Sequence, residues 1–152
     1  MQLSTKHFGT IEYEPDRIIT FPHGLPGFPD TRNYLLIDSS TPNNLFYWLQ
    51  CLDDGDLAFT LIDLYQVKPD YNPLVEPDEV AELNDLTNTT YEIYNVAVIP
   101  EEVQQMRVNL KAPIVINPVT MRGKQVIVNN EEYNVRHFIF EELGNNNKST
   151  GE

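Results

Sequence analysis

The sequence contains a single cysteine, Cys51, among 152 residues, so it cannot form an internal disulfide. This excludes a disulfide-stapled secreted scaffold and makes a reducing compartment the simplest interpretation. The apolar runs are only a few residues long, far below the roughly 20 residues that a membrane-spanning helix needs. The segment Met1–His7 is polar and lacks the apolar core of a secretory signal. We therefore expect a cytoplasmic protein that does not enter a membrane.

Residue patterns for catalysis or metal binding are also scarce. The three histidines are scattered, with no two at the spacing typical of metal ligands. The acidic run Asp53–Asp56 lacks the glycine and glutamate of a calcium loop, because Ala58 and Leu64 stand at those positions. No glycine-rich phosphate loop or serine elbow is present. We expect no catalytic residue, no metal and no cofactor.

Basic residues are few, and their shortage is concentrated in one third of the chain. There are 10 Lys and Arg against 23 Asp and Glu, a net charge of -13. Residues 53–102 hold 13 acids and one base, Lys68, whereas the flanking thirds have net charges of only -2 and +1. Nucleic-acid affinity depends on Lys and Arg, so direct nucleic-acid binding is excluded. An acidic block attracts basic protein partners, although it is also compatible with a role in solubility alone.

Strand signals dominate what the sequence does contain. About nine short runs rich in β-branched and aromatic residues are separated by turn residues every 8–12 positions, a pattern typical of an antiparallel barrel or sandwich. Helix signals are limited to a short segment at about 77–85 and a turn opening at Pro100–Val103. The prediction is an all-β protein with a single antiparallel β-barrel-like domain over 1–143, one or two short helices, and a disordered tail over 144–152.

Three turn signals predict three hairpins. Asp53–Asp56 contains an Asp-Gly step between two strand-like runs, which indicates a type I′ turn with positive φ at both central residues. Thr120–Gly123 separates two further runs, and Asn129-Asn130 precedes a last strand at Tyr133–Phe140.

Several specific strings closely resemble the flagellar assembly factor FliW family of bacteria. They are Phe21–Phe28 (FPHGLPGF), Asp63 followed by Val67–Tyr71 (VKPDY), and Asn109–Asn117 (NLKAPIVIN) with the later Gly123–Val126 (GKQV). The resemblance runs from about Phe8 to Phe140. In the second string the family more often reads DPxxFxPDY; here Leu64 replaces the proline and Val67 the aromatic residue, so the loop conformation is not carried over.

The resemblance implies a small, non-enzymatic β-barrel regulator. Proteins of this family bind flagellin and also bind CsrA, a basic RNA-binding dimer that represses flagellin translation. Secretion of flagellin frees the assembly factor to capture CsrA, and accumulated flagellin reverses this. The acidic block agrees with a basic partner, and we expect the free protein to be a monomer.

Five residues of the acidic third are the candidate partner contacts: Asp63, Asp70, Tyr71, Glu101 and Glu102. Asp63, Asp70 and Tyr71 bracket one short segment, and they could equally form local turn hydrogen bonds. Glu101 and Glu102 could instead favour a helix start. We expect Gly24 and Gly27 to serve the backbone conformation.

A different class of protein is the alternative: a carbohydrate- or peptide-binding β-module. Eight tyrosines and one tryptophan could supply a stacking surface. This alternative predicts exposed aromatic rings on one face, a secretion signal and little role for charge.

Overall fold

The computed structural model describes residues 1–6, 8–25, 27–38, 46–76, 78 and 91–140. Eleven strands form within these ranges. They are β1 (Gln2–Thr5), β2 (Gly9–Glu12), β3 (Ile19–Thr20), β4 (Asn33–Asp38), β5 (Phe46–Cys51), β6 (Ala58–Ile62), β7 (Glu92–Val98), β8 (Arg107–Val108), β9 (Ile114–Asn117), β10 (Arg122–Gln125) and β11 (His137–Phe138).

Seven of these strands close into a barrel. The order is β7-β6-β5-β4-β3-β10-β9, and β9 pairs back onto β7 from Glu92↔Ile116 to Tyr94↔Ile114. All the pairings are antiparallel except β10–β3, which meet in parallel at Arg122↔Thr20. A closed ring leaves none of these seven strands as an edge. The predicted all-β, barrel-like fold is confirmed.

Two short strands extend the sheet beyond the ring. β8 pairs with β7, and β11 pairs with β8, so that residues on the three strands form cross-strand rows. One row is Ala97↔Val108↔His137 and the next is Val98↔Arg107↔Phe138. We call β8 and β11, with the end of β7, the extension. Separately, β1 and β2 form a two-stranded hairpin from Gln2↔Glu12 to Thr5↔Gly9.

Strand alternation fills two apolar clusters on the two faces of the same sheet. Side chains such as Leu61 and Tyr94 belong to the barrel interior, whereas Ile62 and Ala97, on the other face of the same strands, belong to the second cluster. Because both faces of the sheet are covered by apolar clusters, the strand sequences are continuously apolar instead of alternating between apolar and polar residues. The second cluster also contains Leu64 and Val67, the two residues that depart from the family string.

Two of the three predicted hairpins are present. β5 and β6 pair across Asp53–Asp56, and β9 and β10 pair across the turn that ends at Met121, where φ is 57°. The predicted type I′ geometry at Asp53–Asp56 is wrong, since Gly55 does not have positive φ. Its glycine is required for another reason: a Cβ there would clash with the backbone carbonyl oxygen of Ser4 in β1.

The third predicted hairpin is wrong. Within the described residues 131–140, strand structure is limited to β11, which pairs with β8 rather than with β10. The chain before β11 is instead tied to distant loops, as when Asn129 N–H donates to Leu74 O at 3.0 Å and Lys111 Nζ donates to Asn130 O at 2.9 Å. Hydrogen bonds to residues distant in sequence therefore determine the conformation of the segment before β11.

Within the described residues, 3-10 turns lie at Pro15–Arg17, Leu64–Gln66 and Val103–Gln105, and Asp78 and Phe140 are α-helical. The turn expected to open at Pro100 thus begins three residues later. The helix predicted at about 77–85 and the domain boundary at 143 lie outside the described residues, except for Asp78.

The corner between β3 and β4 depends on Gly24. Its φ of 66° lies in the left-handed region, and a Cβ at this position would meet the Phe28 carbonyl oxygen and Pro29. Leu25 and Phe28 exchange backbone hydrogen bonds across the corner at 3.3 and 2.7 Å. The expected backbone role of Gly24 is confirmed, and Gly27 has a φ of 86°.

Candidate partner-binding surface

The described residues of the acidic third include the β5–β6 turn, β6, the segment 63–76, β7 and the loop after β7. The β5–β6 turn carries Asp53, Asp54 and Asp56, all exposed. Asp53 stabilises the start of β4, because its Oδ2 accepts hydrogen bonds from the backbone N–H groups of Arg32 and Asn33 at 2.8 and 3.0 Å. Burial opposes ionisation of Asp53, but these two donors outweigh it and lower the pKa of the carboxyl below its ordinary range.

Asp63 lies at one rim of the barrel, directly after β6. The same rim carries the end of β4 and the beginnings of β5 and β7, because Asp38 pairs with Tyr47 and β7 starts at Glu92. The rings of Tyr47 and Tyr94 meet edge to face with centroids 5.2 Å apart, and Tyr94 OH donates to Glu92 Oε2 at 3.0 Å. We call Asp38, Asp63, Glu92, Tyr47 and Tyr94 the acidic rim.

The charges of the three carboxylates all act on the same tyrosine, Tyr47. Burial raises the pKa of Tyr47, and the charges of Asp38, Asp63 and Glu92 raise it further. Burial and then Glu92 raise the pKa of Tyr94, with a smaller contribution from Asp63. Each carboxylate acts by disfavouring a second negative charge nearby. A cation at this rim is attracted by the carboxylates.

Asp70 and Tyr71 follow the 3-10 turn Leu64–Gln66 and have opposite environments. The Asp70 side chain is 80% exposed and accepts a hydrogen bond from Lys68 Nζ at 3.3 Å. Tyr71 is only 2% exposed; its hydroxyl donates to Leu110 O at 2.8 Å and accepts from Asn95 Nδ2 at 3.1 Å. The side chain of Tyr71 is therefore part of the core rather than of a partner-facing surface.

Glu101 and Glu102 are exposed on the loop between β7 and β8. They follow the end of β7, whereas Asp63 lies beside the beginning of that strand, since Ile62 pairs with Asn95. The five candidates therefore do not form one compact patch. They mark the two ends of β7 and the loop at Asp70.

The sequence interpretation missed the other members of the acidic rim. Asp38, Tyr47, Glu92 and Tyr94 come from three strands, and their neighbourhood depends on the cross-strand registers of β4, β5, β6 and β7. The only sequence signal was that acids and tyrosines stand at strand ends, as in Glu92-Ile93-Tyr94. Among the described residues, no group of three or more His, Cys, Asp or Glu is close enough to hold a metal ion.

Over the ranges that the structure describes, no helix is long and apolar enough to cross a membrane. An open groove of about 710 Å³ lies between the β1–β2 hairpin and β4, with Met1, Tyr13 and Leu36 among its lining residues. Neither Asp63 nor the other candidate contacts line it.

Comparison with known proteins gives a consistent result. A family model described as FliW protein matches residues 2–139. The flagellar assembly factor FliW of Thermoanaerobacter pseudethanolicus is 43% identical over 150 residues, covering 95% of this chain and 97% of that protein. The protein of the same name from Alkaliphilus metalliredigens is 38% identical and covers 94% of this chain and 88% of its own length.

A solved structure extends the similarity to three dimensions. The crystal structure of a flagellar assembly factor FliW superposes with a TM-score of 0.84 at 30% sequence identity. The matched region covers 92% of this chain and 97% of that one. Sequence and fold thus agree over nearly the whole length.

Proposed function

Because the chain belongs to the FliW family of flagellar assembly factors, we propose that it is a non-enzymatic cytoplasmic regulator of flagellum assembly with two protein partners. It binds flagellin, and it sequesters the translational repressor CsrA once flagellin has been secreted. When flagellin accumulates in the cytoplasm, it occupies the regulator, and repression of flagellin translation returns.

The observation that supports capture of a basic partner is the position of the negative charge. The carboxylates of the acidic rim stand at one end of β4 to β7, and Asp70, Glu101 and Glu102 are exposed elsewhere in the acidic third. A basic RNA-binding dimer is steered toward such a surface, and encounter rates are raised most at low ionic strength. Carboxylates seated within about 8 Å of an RNA groove also oppose RNA binding at physiological salt.

The alternative of a carbohydrate- or peptide-binding module loses its main support. It needs exposed aromatic rings on one face, but Tyr34, Tyr71 and Tyr94 are buried. Trp48 is half-buried and packs against Phe8 with ring centroids 5.5 Å apart. These rings are used for packing.

The test is to measure association rates of purified CsrA and purified flagellin against salt concentration. We expect Asp70→Lys, and separately Glu101→Lys with Glu102→Lys, to slow CsrA association several-fold at low salt and to flatten its salt dependence. The equilibrium effect is modest, about 0–1 kcal/mol for each exposed pair. Flagellin binding should change less, because a polymerising protein is kept soluble by covering its apolar assembly surface.

Asp16→Lys is the matched control for Asp70→Lys. It makes the same charge change at an exposed aspartate outside the acidic third, so it should alter CsrA association less. If both partners bind with equal and salt-independent rates in all variants, the acidic third serves solubility alone and the proposal is wrong.

A further inference from the structure

A groove of about 330 Å³ lies on the extension, away from the acidic rim. Its apolar lining consists of four valines, and its polar lining consists of two arginines and an asparagine: Val96, Val98, Val108, Val135, Arg107, Arg136 and Asn109. β7 and β8 supply one side, and the segment before β11 supplies the other. The groove combines residues from three parts of the chain.

The apolar side chains of this region are unusually open to solvent. Val98 is 44% exposed and Val135 57%, and Phe138, in the same cross-strand row as Val98 and Arg107, is 53% exposed. Single exposed apolar residues are ordinary, but a group of them on β7, on β11 and in the segment before β11 marks an interaction surface.

The charge of the groove has the opposite sign to that of the molecule. Among the described residues that line it, the charged groups are Arg107 and Arg136, and no carboxylate is present. Arg107 Nη1 donates to Gln105 O at 3.4 Å, and within the described part of the chain neither arginine forms an ion pair. Two guanidinium groups beside an apolar groove favour apolar segments that also carry carboxylates, and they repel basic ones.

The walls of the groove are held in place by hydrogen bonds. Asn109 N–H donates to Val96 O at 3.0 Å, and its Oδ1 accepts from the backbone of Lys111 and Ala112 at 3.0 and 2.9 Å. On the other side, Leu110 N–H donates to Asn134 O, and Asn134 Oδ1 accepts from Arg136 N–H, both at 3.0 Å. A partner therefore meets a preformed surface and loses little affinity to ordering it.

We propose that this groove is the docking site for flagellin, which enters it with an apolar segment that carries carboxylates. The inference rests on the proposed function, which supplies two partners of different charge. The basic dimer is drawn to the carboxylates of the acidic rim and is repelled by Arg107 and Arg136. The apolar, cationic groove is therefore available to flagellin, whose apolar assembly surface must be covered to keep the monomer soluble.

The experiment measures equilibrium binding of purified flagellin monomer and of purified CsrA to the full chain and its variants. We expect Val135→Asp to weaken flagellin binding at least tenfold. Val119→Asp is its control, because it makes the same change at a valine that is 73% exposed in the β9–β10 turn, and it should leave binding unchanged. CsrA binding should not weaken in either variant.

A charge series at Arg136 tests the second half of the inference. Arg136→Gln removes an attraction and Arg136→Glu adds a repulsion, so flagellin affinity should fall in the order wild type, Gln, Glu. Arg32→Glu, at an exposed arginine outside the groove, should have little effect. Melting temperatures close to that of the wild type establish that each variant is folded, and both substitutions at position 136 are at an exposed side chain.

Each contrary outcome has a distinct meaning. If wild-type protein binds flagellin and the groove variants bind it equally well, the docking site is wrong but the proposed function stands. The same holds if the variants lose CsrA instead, or if Val119→Asp is as harmful as Val135→Asp. If the wild-type protein binds neither partner, the proposed function itself fails, and the docking site fails with it.

Discussion

At the scale of single residues, the buried hydroxyl of Tyr71 connects three segments that are distant in sequence. It joins the loop after the Leu64–Gln66 turn to Leu110 O and to Asn95 in the middle of β7. The ring packs against Tyr133 at a centroid distance of 4.9 Å and against Tyr65 at 5.9 Å. A polar group buried this deeply stabilises the fold only while its hydrogen bonds are made.

Tyr71→Phe should therefore destabilise the protein by about 1–2 kcal/mol at pH 7, because Leu110 O and Asn95 Nδ2 each lose a partner. Urea unfolding measures this free energy. Tyr65→Phe is the control, since its ring is 40% exposed and its hydroxyl has no hydrogen-bond partner among the described residues. An equal loss in both variants would contradict a specific role for the Tyr71 hydroxyl.

The same hydroxyl predicts an alkaline effect. Burial raises the pKa of Tyr71 to about 12 from an ordinary value of 10.0. Between these values the unfolded chain has released the proton while the folded chain retains it, so stability falls as the pH rises from 10 to 12. The urea midpoint of Tyr71→Phe should fall less between pH 8 and pH 11 than that of the wild type. A parallel decline would exclude Tyr71 as a source of the effect.

At the scale of elements, the β1–β2 hairpin docks against the turn between β5 and β6. Lys6 N–H donates to Gly55 O at 3.1 Å, and Phe8 packs edge to face on Trp48. Gln50, which is fully buried, donates through Nε2 to the backbone oxygens of Cys51, Gly55 and Leu57, and so fixes the turn from inside. Gly55 lets the two backbones approach.

Gly55→Ala should push the β1–β2 hairpin away from the barrel, because the added methyl group occupies the space of the Ser4 carbonyl. We expect a loss of about 1–3 kcal/mol, the usual cost of overpacking. Hydrogen exchange at the Lys6 amide should accelerate, while exchange at Leu49, inside the barrel, should change only by the global loss of stability. Unchanged protection of Lys6 would mean that the turn adapts without displacing the hairpin.

Local signals explain which elements could be predicted from the sequence. The β5–β6 turn and the β9–β10 turn join consecutive strands, so residues within a few positions determine them, although the second turn ends at Met121, two residues before the predicted Gly123. β1 was missed because Gln2–Thr5 is polar, and β11 was mispaired because its partner, β8, lies about 30 residues earlier in the chain. Both depend on contacts that no local pattern encodes.

The candidate surfaces also combine features that the sequence shows locally with features that depend on non-local contacts. The accumulation of charge in residues 53–102 is visible in the sequence, but its assembly with Asp38 depends on the register Asp38↔Tyr47 and on β7 lying beside β6. Tyrosine is a residue type that often forms partner contacts, so the sequence alone made Tyr71 a candidate. Only the packing of Leu110 and Asn95 around it reveals its buried position.

At the scale of the whole molecule, a net charge of -13 opposes the compact state. Self-repulsion is screened as the ionic strength rises from about 0.01 M to 1 M, where the screening length falls from about 30 Å to 3 Å. The melting temperature should therefore increase with sodium chloride over this range.

The acidic rim should account for a distinct part of that increase. Asp63→Asn with Glu92→Gln should show a smaller rise with salt than Glu14→Gln with Asp16→Asn, which removes the same charge outside the rim. Calorimetry at both salt concentrations measures the difference. An identical rise in the two double variants would assign the effect to net charge alone.

The ring of strands cannot close until late in protein synthesis. Thr20 in β3 pairs with Arg122 in β10, 102 positions later, and β7 likewise waits for β9. At typical elongation rates of about 5–20 residues per second, roughly 5–20 s separate the emergence of these partners from the ribosome. Closing so long a loop is entropically costly and slows folding. Throughout that interval β3 is an open sheet edge, so the nascent chain is most exposed to aggregation, and most in need of a chaperone, just before β10 arrives.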